Sequence, residues 1–157
     1  MNLAITIEGD SWNEEEVKPV VEKCVQAVFD EVGLNDDNVE VCFLFTTDEE
    51  VRSLNKTYRG INKPTNVLSF PADILSEDAE YCILGSIALA FETVEREARE
   101  QKKSFYDHLK HLLVHGMLHL FRYDHAEESE AEQMEALEAK ILKKLNVKDP
   151  YLQEEPS

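Results

Sequence analysis

Basic residues are scarce in this chain. Sixteen lysines and arginines stand against 33 aspartates and glutamates, for a net charge of −17. That balance argues against general affinity for nucleic acid, which runs on phosphate neutralisation. Cysteine is scarce too: Cys24, Cys42 and Cys82 are odd in number, widely spaced and without metal-ligand spacing. A disulfide scaffold and a cysteine-held metal knuckle are therefore excluded, and reduced thiols in a cytoplasmic protein are expected. No apolar run approaches the roughly 20 residues that span a bilayer, so no membrane role is expected. Residues 1–10 have no basic segment and only a short apolar patch, unlike a secretory signal. With 157 residues, 43% of them hydrophobic, the expectation is a single domain over 1–146 with a real core. Residues 147–157, with two prolines, read as a flexible tail.

The acid is unevenly distributed. Glu127, Glu128, Glu130, Glu132, Glu135 and Glu138 form a run without a base among them. Between Val51 and Lys63 the reverse holds, with Arg52, Lys56, Arg59 and Lys63 and no acid. An acidic body with one basic strip suits selective contact with a few phosphates, although charge runs commonly form solvated helix faces.

Hydrophobic spacing sets out the elements. Leu3 to Ile7 reads as a strand. Ser11 with Glu14 resembles a capping box ahead of a helix with Val17, Val21, Cys24, Val25 and Val28 on one face, stopped by Gly33. Asn38 to Thr46 alternates as a strand. Thr47 and Glu50 cap a short helix with Val51, Leu54 and Asn55 inward, ended by Gly60, which puts Arg59 beside a loop. Asn66 to Phe70 and Ile83 to Phe91 are further strands, the latter with Gly85 as a candidate bulge. Ser76 to Glu80 reads as an acidic loop. Helices are expected from Thr93 to about Lys103, from Ser104 onward, and after Ser129, the last with Met134, Leu137, Ile141, Leu142 and Leu145 inward. The sum is an α+β fold, a small mixed four-stranded sheet packed with about five helices.

All five histidines lie within the eighteen positions from His108 to His125. On a helix, His108, His111, His115 and His119 fall within roughly 80° of one another. His115 and His119 have the i,i+4 spacing by which two imidazoles bind one metal ion. His125 follows from beyond the helix, as a third tetrahedral ligand must. Three neutral histidines leave Zn2+ its full charge and one open position, where water is acidified to a pKa of about 7. A lone histidine on an apolar face usually serves packing, but this clustering points to a metal centre in a cleft. Gly116 stands where a metalloprotease carries its general base, which argues against proteolysis. Glycine inside a helix costs about 1 kcal/mol relative to alanine, so close approach by another backbone or by a substrate is expected there.

The run H-G-M-L-H-L-F-R-Y-D-H, His115 to His125, resembles the H-G-x-L-H-L-x-G-Y-D-H signature of the YbeY family. Y-R-G-I-N-K-P-T-N-V-L-S-F-P, Tyr58 to Pro71, resembles that family's Y-R-x-x-x-x-P-T-D-V-L-S-F-P, and Leu84 to Ile87 its L-G-D-I. The resemblance implies a zinc-dependent, single-strand-specific endoribonuclease acting in maturation of small-subunit ribosomal RNA and in ribosome quality control, with the ribosome or its proteins as partners. It implies His115, His119 and His125 as ligands of one Zn2+ and a role in activity for Arg59. By its chemistry, Arg59 can clamp a phosphate bidentately or form a surface salt bridge. Lys63 belongs to the same basic strip and is a further substrate-binding candidate. His111 is placed to contact substrate or to hydrogen-bond within the cleft. Asp124 can orient a ligand imidazole or cap a turn. Asn66, Ser86 and Arg122 depart from the family pattern, which has Asp, Asp and Gly. The first two changes make the site less negative, which favours an anionic substrate. A hydrolase of another substrate, and a non-catalytic metal-stabilised RNA-binding or ribosome-assembly factor, are the competing readings.

Overall fold

The structure is a computed structural model, and it describes residues 2–33, 39–71, 82–121 and 128–148. Among the described residues the order is β1 (Asn2–Ile7), α1 (Glu14–Val32), β2 (Val39–Thr46), α2 (Asp48–Arg59), β3 (Val67–Pro71), β4 (Cys82–Ala90), α3 (Phe91–Glu100), α4 (Phe105–Leu120) and α5 (Glu128–Lys144). The strands form one mixed sheet in the order β1-β2-β4-β3. β1–β2 and β2–β4 are parallel and β3–β4 is antiparallel. No described helix is long and apolar enough to cross a membrane.

Alternation along the strands gives the sheet two different faces. One carries Val41, Phe43, Phe45, Ile87 and Leu89, which join Val17, Val21, Val25, Leu109, Leu113, Met117, Met134 and Ile141 in the main core. The other carries Leu68, Ala88 and Ala90, which meet only Val51, Leu54 and their neighbours around α2. The pairing skips Leu84 between Glu40↔Ile83 and Val41↔Gly85, a bulge at the expected glycine.

Three helix starts differ from the sequence pattern, among them that of α5, which begins at Glu128 with Ser129 inside the helix. α1 is capped by Asn13, whose side chain accepts from the N–H groups of Glu15 and Glu16, and not by Ser11. Trp12 explains the delay. It is buried, donates from Nε1 to the Thr46 carbonyl at 2.9 Å, and packs edge-on against Phe45 and Phe91. The helix begins only after that anchor. α3 begins at Phe91 and has no side-chain cap of its own. Asp48 on α2 supplies it by accepting from the Thr93 N–H at 2.9 Å and Thr93 Oγ1 at 2.8 Å. A cap 45 positions away is invisible to local pattern.

α4 is the structural centre. It packs on α1, α3, α5, β3 and β4. Ser104 caps it by accepting from the Asp107 N–H, as expected. Leu109, Leu113, Val114, Met117 and Leu118 are fully buried. Gly116 is where α4 meets the sheet. A β-carbon there would lie 3.1 Å from Ser69 Oγ and 3.3 Å from Val67 Cγ2. Ser69 Oγ also donates to the Gly116 carbonyl at 3.0 Å. The protein atoms that approach are strand side chains, and not another backbone.

Val147, placed in the tail by the sequence, is buried against the core, and its N–H donates to the Leu142 carbonyl at 2.9 Å. The acidic loop 76–80, together with Arg122, Asp124, His125 and residues 149–157, lies outside the described residues.

Candidate active site

Four histidines climb α4 as a ladder. Ring centroids are 6.1 Å apart for His108–His111, 6.3 Å for His111–His115 and 4.5 Å for His115–His119. α3 and α5 pack beside this helix, yet only His108 is buried, and His111, His115 and His119 stay partly exposed. His108 is buried, with Nε2 at 2.9 Å from Glu97 Oε1 on α3. Burial pushes its pKa below the usual imidazole value, while the bond to Glu97 acts in the opposite direction. His108 is therefore a structural residue held on α3.

Further along α4 the pattern changes. His115 Nδ1 is hydrogen-bonded to Glu138 Oε1 on α5, and His111 Nε2 lies 3.7 Å from Glu138 Oε2. The opposite nitrogen of His115, Nε2, is 3.0 Å from Nε2 of His119. Glu138 is fully buried. Sequence reading placed it in a solvated acidic run, and it instead projects into the core between Met134 and Ile141. A signal was available: Glu138 lies on the same helical stripe as Met134, Ile141 and Leu142, the stripe that the core requires.

Two neutral imidazole nitrogens come this close when one donates to the other, or when both lone pairs converge on one cation. Zinc–nitrogen bonds of about 2.0–2.1 Å make the edge of a coordination tetrahedron about 3.3 Å. A metal-ligating histidine also commonly donates its other ring N–H to a carboxylate. The Nε2 atoms of His115 and His119 converge as the first requires, and His115 has the carboxylate of the second. Among the described residues no group of three potential ligands is assembled, and His125, the third expected from the sequence, lies outside them, as does Asp124.

Arg59 lies elsewhere. It is exposed at the last turn of α2, where Gly60 closes the helix in a left-handed conformation and donates to the Lys56 carbonyl. The loop after it is pinned by buried Asn55, whose Nδ2 donates to the Lys63 carbonyl at 2.9 Å. Arg59 borders a groove of about 850 Å3 on the less covered face of the sheet. Small side chains line its floor, among them Ala4, Thr6, Cys42, Ser86 and Ala88, and Leu54, Tyr58 and Phe70 form a wall. Tyr58 is 68% exposed and meets Phe70 edge-on at 5.4 Å. Arg52, Lys56, Arg59 and Lys63 are all exposed. None of the described histidines lines this groove, although Ser69, which does, donates to the carbonyl of Gly116 beside His115.

The departures from the family motif find separate explanations. Asn66 donates from Nδ2 to Glu97 Oε1 at 2.9 Å and accepts from the Val67 N–H at 2.7 Å. An aspartate there would face the Glu97 carboxylate without that donor. Ser86 is exposed on the groove floor. The thiol of Cys24 is buried and pushed up to about 12 by that burial, as an inert core cysteine should be.

The family model for endoribonuclease YbeY matches residues 4–146. The chain belongs to the YbeY family. A YbeY endoribonuclease of Agrobacterium fabrum is 45% identical over 164 aligned residues, covering 99% of this chain and 98% of the relative. One from Bartonella henselae is 44% identical and covers 96% and 97%. The solution structure of TM1509 from Thermotoga maritima superposes with a TM-score of 0.57 at 27% identity, covering 96% of this chain and 99% of that one. The α+β architecture expected from the sequence is thus also that of this solved neighbour.

Proposed function

We propose that this YbeY-family protein is a single-strand-specific, zinc-dependent endoribonuclease that acts in maturation of small-subunit ribosomal RNA and in ribosome quality control in the cytoplasm. The observation that carries the reading is the convergence of His115 Nε2 and His119 Nε2 at 3.0 Å, with Glu138 on the far nitrogen of His115. His115, His119 and His125 would hold the ion. When bound, it would supply a water of pKa about 7 and positive charge for the phosphoryl oxygens. The chain's own contribution is to bind and align RNA. Arg59 offers a guanidinium fork to a phosphate, and Lys63 and Lys56 extend the basic strip along the backbone path. Tyr58 gives an exposed ring on which a single-stranded base can stack, which a paired base cannot do. His111 lies one turn from His115, with Nε2 at 3.7 Å from Glu138 Oε2.

The test is cleavage of a labelled single-stranded RNA by wild type, Arg59→Ala and His119→Ala prepared identically. Activity in wild type that both variants lack is expected. Equal activity in all three would reveal a contaminating nuclease. No activity in any would favour the non-catalytic RNA-binding or ribosome-assembly reading, to which the net charge of −17 lends weight.

A further inference from the structure

We infer that Glu138 is a positioning residue of the metal centre: from α5 it fixes the tautomer and ring orientation of His115. The inference rests on the reading that His115 and His119 bind a cation. Glu138 is fully buried, as are Met134, Ile141 and Leu142 on the same stripe. A buried carboxylate in such surroundings is costly unless it is paired. The partners observed here are imidazoles of α4: His115 Nδ1 at Oε1 and His111 Nε2 at 3.7 Å from Oε2. An ionised carboxylate only accepts hydrogen bonds, so the proton of His115 sits on Nδ1. Its Nε2 lone pair is then left facing His119 Nε2, 3.0 Å away. Tautomer and aim are thereby set together, by a residue on a different helix from the ligands. α5 is held in turn by Lys140 and Lys144, both at 2.6 Å from Glu31 on α1. The metal-binding face of α4 is therefore clamped from outside.

The experiment is a competitive zinc titration of folded wild type and Glu138→Gln, with circular dichroism as the check on fold. Long-range 1H–15N spectra of wild-type His115 accompany it. The inference expects zinc affinity about 10–100-fold weaker in Glu138→Gln, and a wild-type His115 protonated at Nδ1 and bare at Nε2. Unchanged affinity in a folded variant would overturn the positioning role alone. An Nε2–H tautomer in wild type would overturn it even if the variant fails to fold. Wild type that binds no zinc would remove the metal reading itself, and this role with it.

Discussion

The histidine ladder and the groove differ in how they are built. The ladder lies on the most enclosed helix of the molecule, and its later rungs are fixed by a buried carboxylate on a neighbouring helix. The groove is an open strip of exposed side chains at one helix end, above small residues of the sheet. The first is suited to holding atoms at fixed distances, because His108 and His115 are hydrogen-bonded to carboxylates on neighbouring helices. The second is suited to a flexible polymer that needs charge and stacking surface but no fixed geometry. The proposed single-strand nuclease needs both, and the chain carries them on different helices, α4 and α2.

The contrast can be broken from the metal side first. His119→Ala should cost about a thousandfold or more in RNA cleavage, the several kcal/mol supplied by a bound Lewis acid, with circular dichroism unchanged. A cleaving His119→Ala protein would remove the ladder from the chemistry. Arg59→Ala should lower cleavage by about 10²–10³-fold and leave zinc content as in wild type. A loss of zinc in this variant would mean the two regions are one. In stability, Leu113→Ala beneath the ladder should cost about 2–5 kcal/mol in urea melts, whereas Tyr58→Ala in the groove should cost less than about 0.5 kcal/mol and instead weaken single-stranded RNA binding by about 1–3 kcal/mol.

The smallest effect concerns pH. Burial holds the His108 pKa below its unfolded value, with Glu97, Lys103 and His111 as the charged or titratable groups around it. Below an unfolded value of about 6.5 the unfolded chain takes up a proton that the folded chain resists, so stability falls with pH until the folded value is passed. Above that window the contribution is fully present. His108→Asn should flatten this part of the profile in urea melts taken across it, and an unchanged slope would refute the assignment.

Much of this was legible in the sequence because it is written in local period and caps. Val17, Val21, Cys24 and Val25 gave the inner face of α1, Ser104 gave the start of α4, and the i,i+4 spacing of His115 and His119 gave their convergence. What escaped was decided by tertiary contact. Asn13 replaces Ser11 as a cap because Trp12 must first reach Thr46. Asp48 caps α3 from another helix. Glu138 looked like one more residue of an acidic run, although its place on the apolar stripe of α5 marked it. The groove depends on how little of the sheet α2 covers, which no single segment encodes.

The division of labour between ladder and groove is tested most directly on a His119→Ala background, where RNA binding can be read without cleavage. Fluorescence anisotropy with a labelled single-stranded RNA should show that His119→Ala still binds. Adding Tyr58→Ala and Arg59→Ala should weaken that binding by about tenfold or more. A His119→Ala protein that no longer binds RNA, or binding indifferent to Tyr58 and Arg59, would contradict the account.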